Sequence, residues 1–307
     1  LAMIPDTAET INVGKRSSHH TMRQEQISEV LAEKALEGKR VVRLKGGDPF
    51  LFGRGGEELE VLVREGVPYE VVPGVTSAIA VPAYQGIPVT HRDFCSSVHI
   101  ITGHKREGEA YNIDFEALVR TKGTLVFLMG VSSLGAICDG LLKAGIRPEM
   151  PAALLARGTT AAQDRIVATV ATLSEAVARH GAITPAIIVV GEVCALADEF
   201  SWAEKRVLGG VRVFVTRPKE LAGTLSLRLR KLGAEVVEIP AIQTKAREGG
   251  AFAEALDTVD AFDWIVFTSP TGVRIFFEEM KRKKLDVRRL AKTRFAVIGS
   301  GSEKELE

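Results

Sequence analysis

Residues 43–58, RLKGGDPFLFGRGGEE, set five glycines, Asp48 and Pro49 between a β-type run, KRVVRL, and a helix-type run, EELEVLVREG. A strand closing on Lys45-Gly46-Gly47-Asp48-Pro49 presents bare backbone at its carboxyl end, where open α/β sheets bind their ligands. Gly46 and Gly47 let N–H and C=O groups approach a ligand and permit positive φ. Asp48 can accept hydrogen bonds from ribose hydroxyls or a ligand ammonium; the alternative is a tight turn with a solvated acid. The loop has neither G-x-G-x-x-G nor G-K-[ST], so it is neither a dinucleotide fingerprint nor a P-loop.

Three further stretches could share such a site. In VVPGVTSAIAVPAYQGIPVTHRD, Pro73-Gly74 ends a strand and Thr76 and Ser77 open a helix. Hydroxyls and free N–H groups there suit a carboxylate, with plain N-capping as the alternative. FLMGV and ARGTT are strand ends closed by Gly130 and Gly158. Met129 would pack on an apolar ligand face or simply fill core. Basic residues gather near these loops: Lys15, Arg16, His19, His20, Arg40, Arg43, Lys45, Arg54, His91 and Arg92. Arg43 sits inside a strand, an awkward place for a charge unless it faces a cleft, and arginines bind carboxylates in bidentate fashion. His19-His20 lacks metal-ligand spacing, so no metal site is expected. No G-x-S-x-G elbow is present.

The elements that must position these residues alternate strand and helix, the pattern of α/β layers. Thr21 with Gln24 reads as a capping box, followed by an apolar face of Ile27, Val30, Leu31 and Ala35 stopped at Gly38. VVRL, YEVV, SVHIIT, TLVFLM, AALLA, IVATV and AIIVV read as strands. Leu134, Ile137, Cys138, Leu141 and Leu142 form one helical face ending at Gly145. The alternation lapses after Glu192, and residues 198–210 read as a linker. A fresh unit begins at VRVFVTR, with a helix through Leu221, Leu225 and Leu229 and another carrying Val273, Phe276, Phe277 and Met280.

At 307 residues, two or three domains are expected. A net charge of +1 argues against bulk nucleic-acid or anionic-membrane binding. Three cysteines without metal-type spacing favour a reduced, cytoplasmic setting. No run approaches the ~20 apolar residues of a membrane span, and no signal peptide is visible.

Taken together, VGKRSSHHTMRQEQI, VVRLKGGDPFLFGRGGEE, VVPGVTSAIAVPAYQGIPVTHRD, TLVFLMG, ARGTT and TPAIIVVGEV resemble, in this order, the tetrapyrrole methylase family, and within it the C-methyltransferases that act on uroporphyrinogen III. The resemblance covers about residues 1–203. It implies two α/β domains, residues 1–97 and 98–200, with S-adenosylmethionine bound in the cleft between them. By position, Gly46, Gly47, Asp48 and Leu51 match the first cofactor loop, Thr76 and Ser77 the second, Met129 the third and Gly158 the fourth. Lys15 matches a lysine with an acid/base role beside the substrate. Arg43, Arg54, His91 and Arg92 would meet the carboxylates of a tetrapyrrole.

After a linker over residues 201–210, residues 211–307 resemble the first half of the uroporphyrinogen-III synthases, through VFVTRP, LRKLGAEVVEIPAI, DWIVFTSPTGVRIFF and FAVIGSG. Thr268, Ser269 and Gly272 are the residues to watch in that incomplete lobe. Methylases of this kind begin with a strand, a glycine- and proline-rich loop and a helix, none of which precedes Leu1. The chain is therefore expected to be an internal part of a longer bifunctional enzyme, forming a homodimer as the family does. Two other readings stay open: the synthase activity as the main one, and a fragment that binds cofactor or tetrapyrrole without turnover.

Overall fold

The computed structural model describes residues 4–5, 7–16, 19–20, 22–103, 113–181, 183–242 and 250–307; for residues 15–16, 19–20 and 219–222 it describes the backbone alone. The chain forms two compact units, one of residues 1–215 and 223–237 and the other of residues 216–222 and 238–307.

The first unit opens with a short antiparallel pair, β1 (Lys15–Arg16) and β2 (His19–His20). Helix α1 (Gln24–Leu36) follows. Thr21 of the expected capping box lies outside the described residues. The helix starts at Gln24, and the Gln26 side chain closes its end by accepting from the Arg23 amide at 2.8 Å. Ile27 is buried and Val30, Leu31 and Ala35 are half-buried, as the apolar stripe requires. Helix α2 (Gly55–Arg64) packs on α1, and α3 (Ser77–Tyr84) follows.

Between these helices run VVRL (41–44) and YEVV (69–72), expected as strands. Neither pairs with another strand among the described residues, and Val42 and Val72 are 80% and 75% exposed. β-type composition states a fit to a pleated, half-buried surface; a ladder also needs a neighbouring strand. What fixes the 41–45 run instead is Glu58 on α2. Its buried carboxylate accepts from Lys45 Nζ at 2.7 Å, Gln24 Nε2 of α1 at 3.1 Å and Arg43 Nε at 3.2 Å. Burial alone would raise the Glu58 carboxyl, but the Lys45 and Gln24 hydrogen bonds and the Arg43 charge together hold it below the usual range.

Five strands then form one mixed sheet: β3 (Val98–Thr102), β4 (Thr124–Leu128), β5 (Pro151–Ala156), β6 (Asp164–Thr169) and β7 (Ala186–Val190), in the order β3-β4-β7-β5-β6. Only β3 and β4 are parallel; the other three pairings are antiparallel. Alternate residues face two cores. Leu125, Phe127, Leu154 and Ile188 join the core beneath α4 (Phe115–Arg120), α5 (Leu134–Lys143) and α6 (Leu173–His180). Val126, Leu128, Leu155 and Val189 join Ala78 of α3 and Ile87 on the other face. A sheet covered on both faces explains why its strands read as unbroken apolar runs. Residues 198–210, read as a linker, are tied to the first unit: Trp202 Nε1 donates to Ala83 O at 2.8 Å and its ring lies tilted 5.0 Å from that of Tyr84.

The rest of the chain supplies β8 (Arg212–Val215), α7 (Lys219–Lys231) and β9 (Glu235–Glu238). Then come α8 (Ala251–Asp257), β10 (Trp264–Phe267), α9 (Pro270–Arg282), β11 (Arg294–Val297) and α10 (Ser300–Leu306). In the second unit β10 and β11 pair in parallel, and Val273, Phe276 and Met280 of α9 pack with Phe267 and Leu256 as the helical spacing foretells. Among the described residues no helix is long and apolar enough to cross a membrane.

Glu58→Gln should destabilise the first unit by about 3 kcal/mol, because two cations lose a buried partner. Glu57→Gln, whose partner Arg54 is exposed, should cost under ~1 kcal/mol. Urea denaturation of both variants followed by circular dichroism measures the difference.

Candidate functional site

The glycine loop leaves the Lys45 anchor and is held by its own acid. Asp48 Oδ1 accepts from the amides of Phe50 at 2.9 Å and Leu51 at 3.1 Å, while Oδ2 accepts from the amide of Gly74 at 3.0 Å. One carboxylate thus ties the loop after residue 45 to the loop after residue 72. The two backbones cross so closely that a Cβ on residue 74 would lie 2.2 Å from Gly47 O. The Gly74 and Phe50 hydrogen bonds, ahead of a smaller opposing effect of burial and a further bond from Leu51, hold the Asp48 carboxyl below its usual range. A carboxylate has about four acceptor positions, and three are filled by backbone.

The second loop leads into α3, whose first turn is capped by Thr76: its Oγ1 accepts from Ala78 N at 3.2 Å. Capping and wall-building coincide here, since Thr76 and Ser77 both face a cavity. That cavity has a volume of about 1210 Å³, and all eight residues expected to hold the cofactor line it: Gly46, Gly47, Asp48, Leu51, Thr76, Ser77, Met129 and Gly158. They arrive from four separate chain segments. Met129 follows β4 and Gly158 follows β5, so two strands of the buried sheet end at the wall. Gly158 must be small because a Cβ there would meet Val81 of α3 at 2.4 Å.

Backbone strain concentrates at the same wall. Seven described non-glycine residues adopt positive φ, and four of them, Phe52 (53°), Met129 (57°), Arg157 (44°) and Thr159 (68°), line the cavity. Such conformations are uncommon for residues with a Cβ and cluster where a ligand is clamped. Phe52, Arg157 and Thr159, with Val81 and Arg212, are wall residues that sequence reasoning missed. A positive φ on an ordinary residue leaves no trace in composition. The neighbourhood of Gly158 in ARGTT was the available signal for two of them.

The residues expected to meet a substrate lie apart from these walls. Arg43 is bound to Glu58 and also donates through Nη1 to Leu44 O at 2.9 Å. Arg54, in the left-handed region at φ 56°, pairs with Glu57. His91 Nδ1 accepts from Asp93 N at 3.2 Å and its ring lies 4.9 Å from Phe94; Arg92 is exposed. None of these four lines the cavity. Lys15 contributes its backbone to β1, and its side chain lies outside the described part of the structure. In the second unit, Ser269 Oγ caps α9 by accepting from Gly272 N at 3.1 Å, and Thr268 is exposed at the end of β10.

The described residues hold no group of three His, Cys, Asp or Glu side chains placed to share a metal ion. The three cysteines are free, and burial pushes the Cys138 thiol up to about 11 and raises that of Cys194. Thiols so shifted are poor nucleophiles. The arrangement offers a large, mostly apolar pocket walled by bare backbone and a helix N-terminus, with Asp48, Arg157 and Arg212 as its ionisable lining groups.

Comparison with known proteins places these features in two families. Residues 2–174 match the Tetrapyrrole (Corrin/Porphyrin) Methylases and residues 223–307 match Uroporphyrinogen-III synthase HemD. The chain is 51% identical over 308 residues to the porphyrin biosynthesis protein HemD of Ruminiclostridium josui, an alignment that takes in 100% of this chain and 61% of that protein. It is 53% identical over 199 residues to the S-adenosyl-L-methionine-dependent uroporphyrinogen III methyltransferase of Methanosarcina barkeri, covering 64% of this chain and 78% of that one. The crystal structure of a cobalamin biosynthetic enzyme, cobalt precorrin-4 methyltransferase, superposes with a TM-score of 0.52 at 26% identity, over 57% of this chain and 73% of that one. The chain thus spans about three fifths, 61%, of its full-span relative's length.

If Asp48 staples the loops, Asp48→Ala should speed hydrogen exchange of the Gly74 amide about tenfold. The carboxyl is depressed in the folded state. Its contribution is therefore complete above the unfolded pKa near ~4 and is lost as pH falls through the folded value. Exchange measured by mass spectrometry across that acid range should show Gly74 losing protection in the native protein alone.

Proposed function

The chain belongs to the tetrapyrrole (corrin/porphyrin) methylase family, and on that premise we propose that it binds S-adenosylmethionine in the cavity and carries out C-methylation of uroporphyrinogen III to precorrin-2. The observation that carries this reading is the convergence of eight residues from four segments on one cavity of about 1210 Å³. A single small-ligand pocket is typically ~300–1,000 Å³, so the volume suits a cofactor together with part of a larger substrate. The lining fits the cofactor: bare backbone at Gly46 and Gly47, hydroxyls and a helix N-terminus at Thr76 and Ser77, and apolar faces at Leu51 and Met129. When bound, the cofactor supplies an electrophilic methyl group on a sulfonium.

The chain's own residues do the rest. The α3 N-terminus favours a ligand carboxylate. Leu51, Val81 and Met129 keep water from the site, and the fixed loops align the reacting carbons; methyl transfer is a displacement that depends chiefly on alignment. Lys15 is proposed as the group that moves a ring proton. Arg54, His91 and Arg92 are proposed contacts for the acetate and propionate arms, whereas Arg43 serves the Glu58 anchor. Residues 223–307 support a second reading, a uroporphyrinogen-III synthase function in the same polypeptide, whose product the methylase would consume. We propose a cytoplasmic location, on the cysteine content, and a homodimer, on the family resemblance.

In the intact protein, a single-turnover assay with labelled S-adenosylmethionine and uroporphyrinogen III should yield methylated macrocycle. Ser77→Leu, which fills the cavity from its rim, should weaken S-adenosylhomocysteine about tenfold by calorimetry; unchanged affinity would put the ligand elsewhere.

Lys15→Met should cut turnover about 10²-fold while leaving cofactor affinity alone. A parallel loss of both would remove Lys15 from the proton-transfer role.

A further inference from the structure

Arg212 falls between the two family matches, after residue 174 and before residue 223, yet it belongs to the first compact unit and lines the cavity. Its guanidinium makes a fork with Glu235: Nε lies 3.1 Å from Oε1 and Nη2 donates to Oε2 at 3.2 Å. Glu235 Oε2 also accepts from the amide of Ala161 at 2.8 Å. Ala161 sits between Thr160 and Ala162, both in the cavity wall. The carboxylate is therefore latched to the loop after β5 and pairs with the guanidinium. The Ala161 amide, the leading cause, and the Arg212 pair keep the Glu235 carboxyl below its usual range, so it stays ionised.

An arginine carries five N–H donors, and the fork with Glu235 leaves the Nη1 edge for another acceptor. The Arg212 side chain is 58% exposed, so that edge is open to a ligand. The same wall carries Arg157. Among the described lining residues the one carboxylate, Asp48, has three of its acceptor positions filled by amides. The cavity is thus biased toward anions.

We propose that Arg212 is a specificity-determining residue of the cavity, receiving a ligand carboxylate on its Nη1 edge while its Nε and Nη2 side stays paired with Glu235. The proposal rests on the methylation reading. Carboxylates are carried both by the tetrapyrrole arms and by the methionyl end of the cofactor, and the test separates them.

In the intact protein, Arg212→Gln should raise KM for uroporphyrinogen III, or weaken S-adenosylhomocysteine in calorimetry, about tenfold with little change in kcat. The affected constant identifies which carboxylate Arg212 meets. Glu235→Gln keeps an acceptor for the Ala161 amide but frees the guanidinium, so it should leave that constant unchanged or tighten it. Arg212→Lys should rescue partially, having charge without the fork. A merely structural pair predicts the opposite pattern, with both Gln variants weakening binding alike. That result, or an Arg212→Gln protein indistinguishable from an active wild type, overturns the proposal. A wild type that transfers no methyl group overturns the methylation reading and this inference together.

Discussion

The cavity depends on one carboxylate tied to three amides. Asp48 holds Phe50, Leu51 and Gly74 at once, and the chain crossing it stabilises leaves no room for a Cβ on residue 74. Two loops 26 residues apart in sequence are thereby fixed as one surface. Asp48 is itself a wall residue, so its role toward a ligand is first architectural: it sets where the bare backbone of Gly46 and Gly47 lies. Any direct contact is left to its one remaining acceptor position.

That surface would drift without a frame at each end. On one side Glu58 gathers Lys45, Arg43 and Gln24, joining α1, α2 and the run into the glycine loop. On the other side the five-stranded sheet, buried on both faces, delivers Met129 and Gly158 at the ends of β4 and β5, the two buried strands that flank β7. Val81 against Gly158 closes the circuit, because α3 starts at the second loop and packs on the same sheet. Strained residues can persist there because their surroundings over-determine them.

Much of this was legible in the sequence, and the reason is local. A strand end followed by glycine, or by a hydroxyl at a helix start, signals itself within five or six residues. The strands of the five-stranded sheet were equally plain in their apolar runs. What stayed hidden required a partner distant in sequence. Arg43 looked like a charge seeking a cleft because Glu58, which satisfies it, lies on the following helix. VVRL and YEVV looked like strands because composition reports surface preference and is silent on the neighbour. Arg157 and Thr159 differ from ordinary loop residues only in backbone angle. Arg212 reaches the wall from beyond the stretch that carries the family resemblance, so no motif could have marked it.

These features bear on what kind of catalyst the cavity can be. Its described ionisable lining groups are Asp48, Arg157 and Arg212. The first is engaged by amides, and guanidinium groups do not release protons in the working range. Among the described lining residues no group is therefore suited to general acid–base work, and the buried thiols of Cys138 and Cys194 are shifted away from nucleophilic use. What the wall does supply is geometry: backbone and a helix terminus held in place by Asp48, by buried Glu58 and by the sheet. Such preorganisation suits a reaction whose electrophile comes ready-made and whose barrier lies mainly in bringing two carbons into line. The β1 lysine stands apart from this wall in the chain, so the role proposed for it concerns the substrate and not the cofactor pocket.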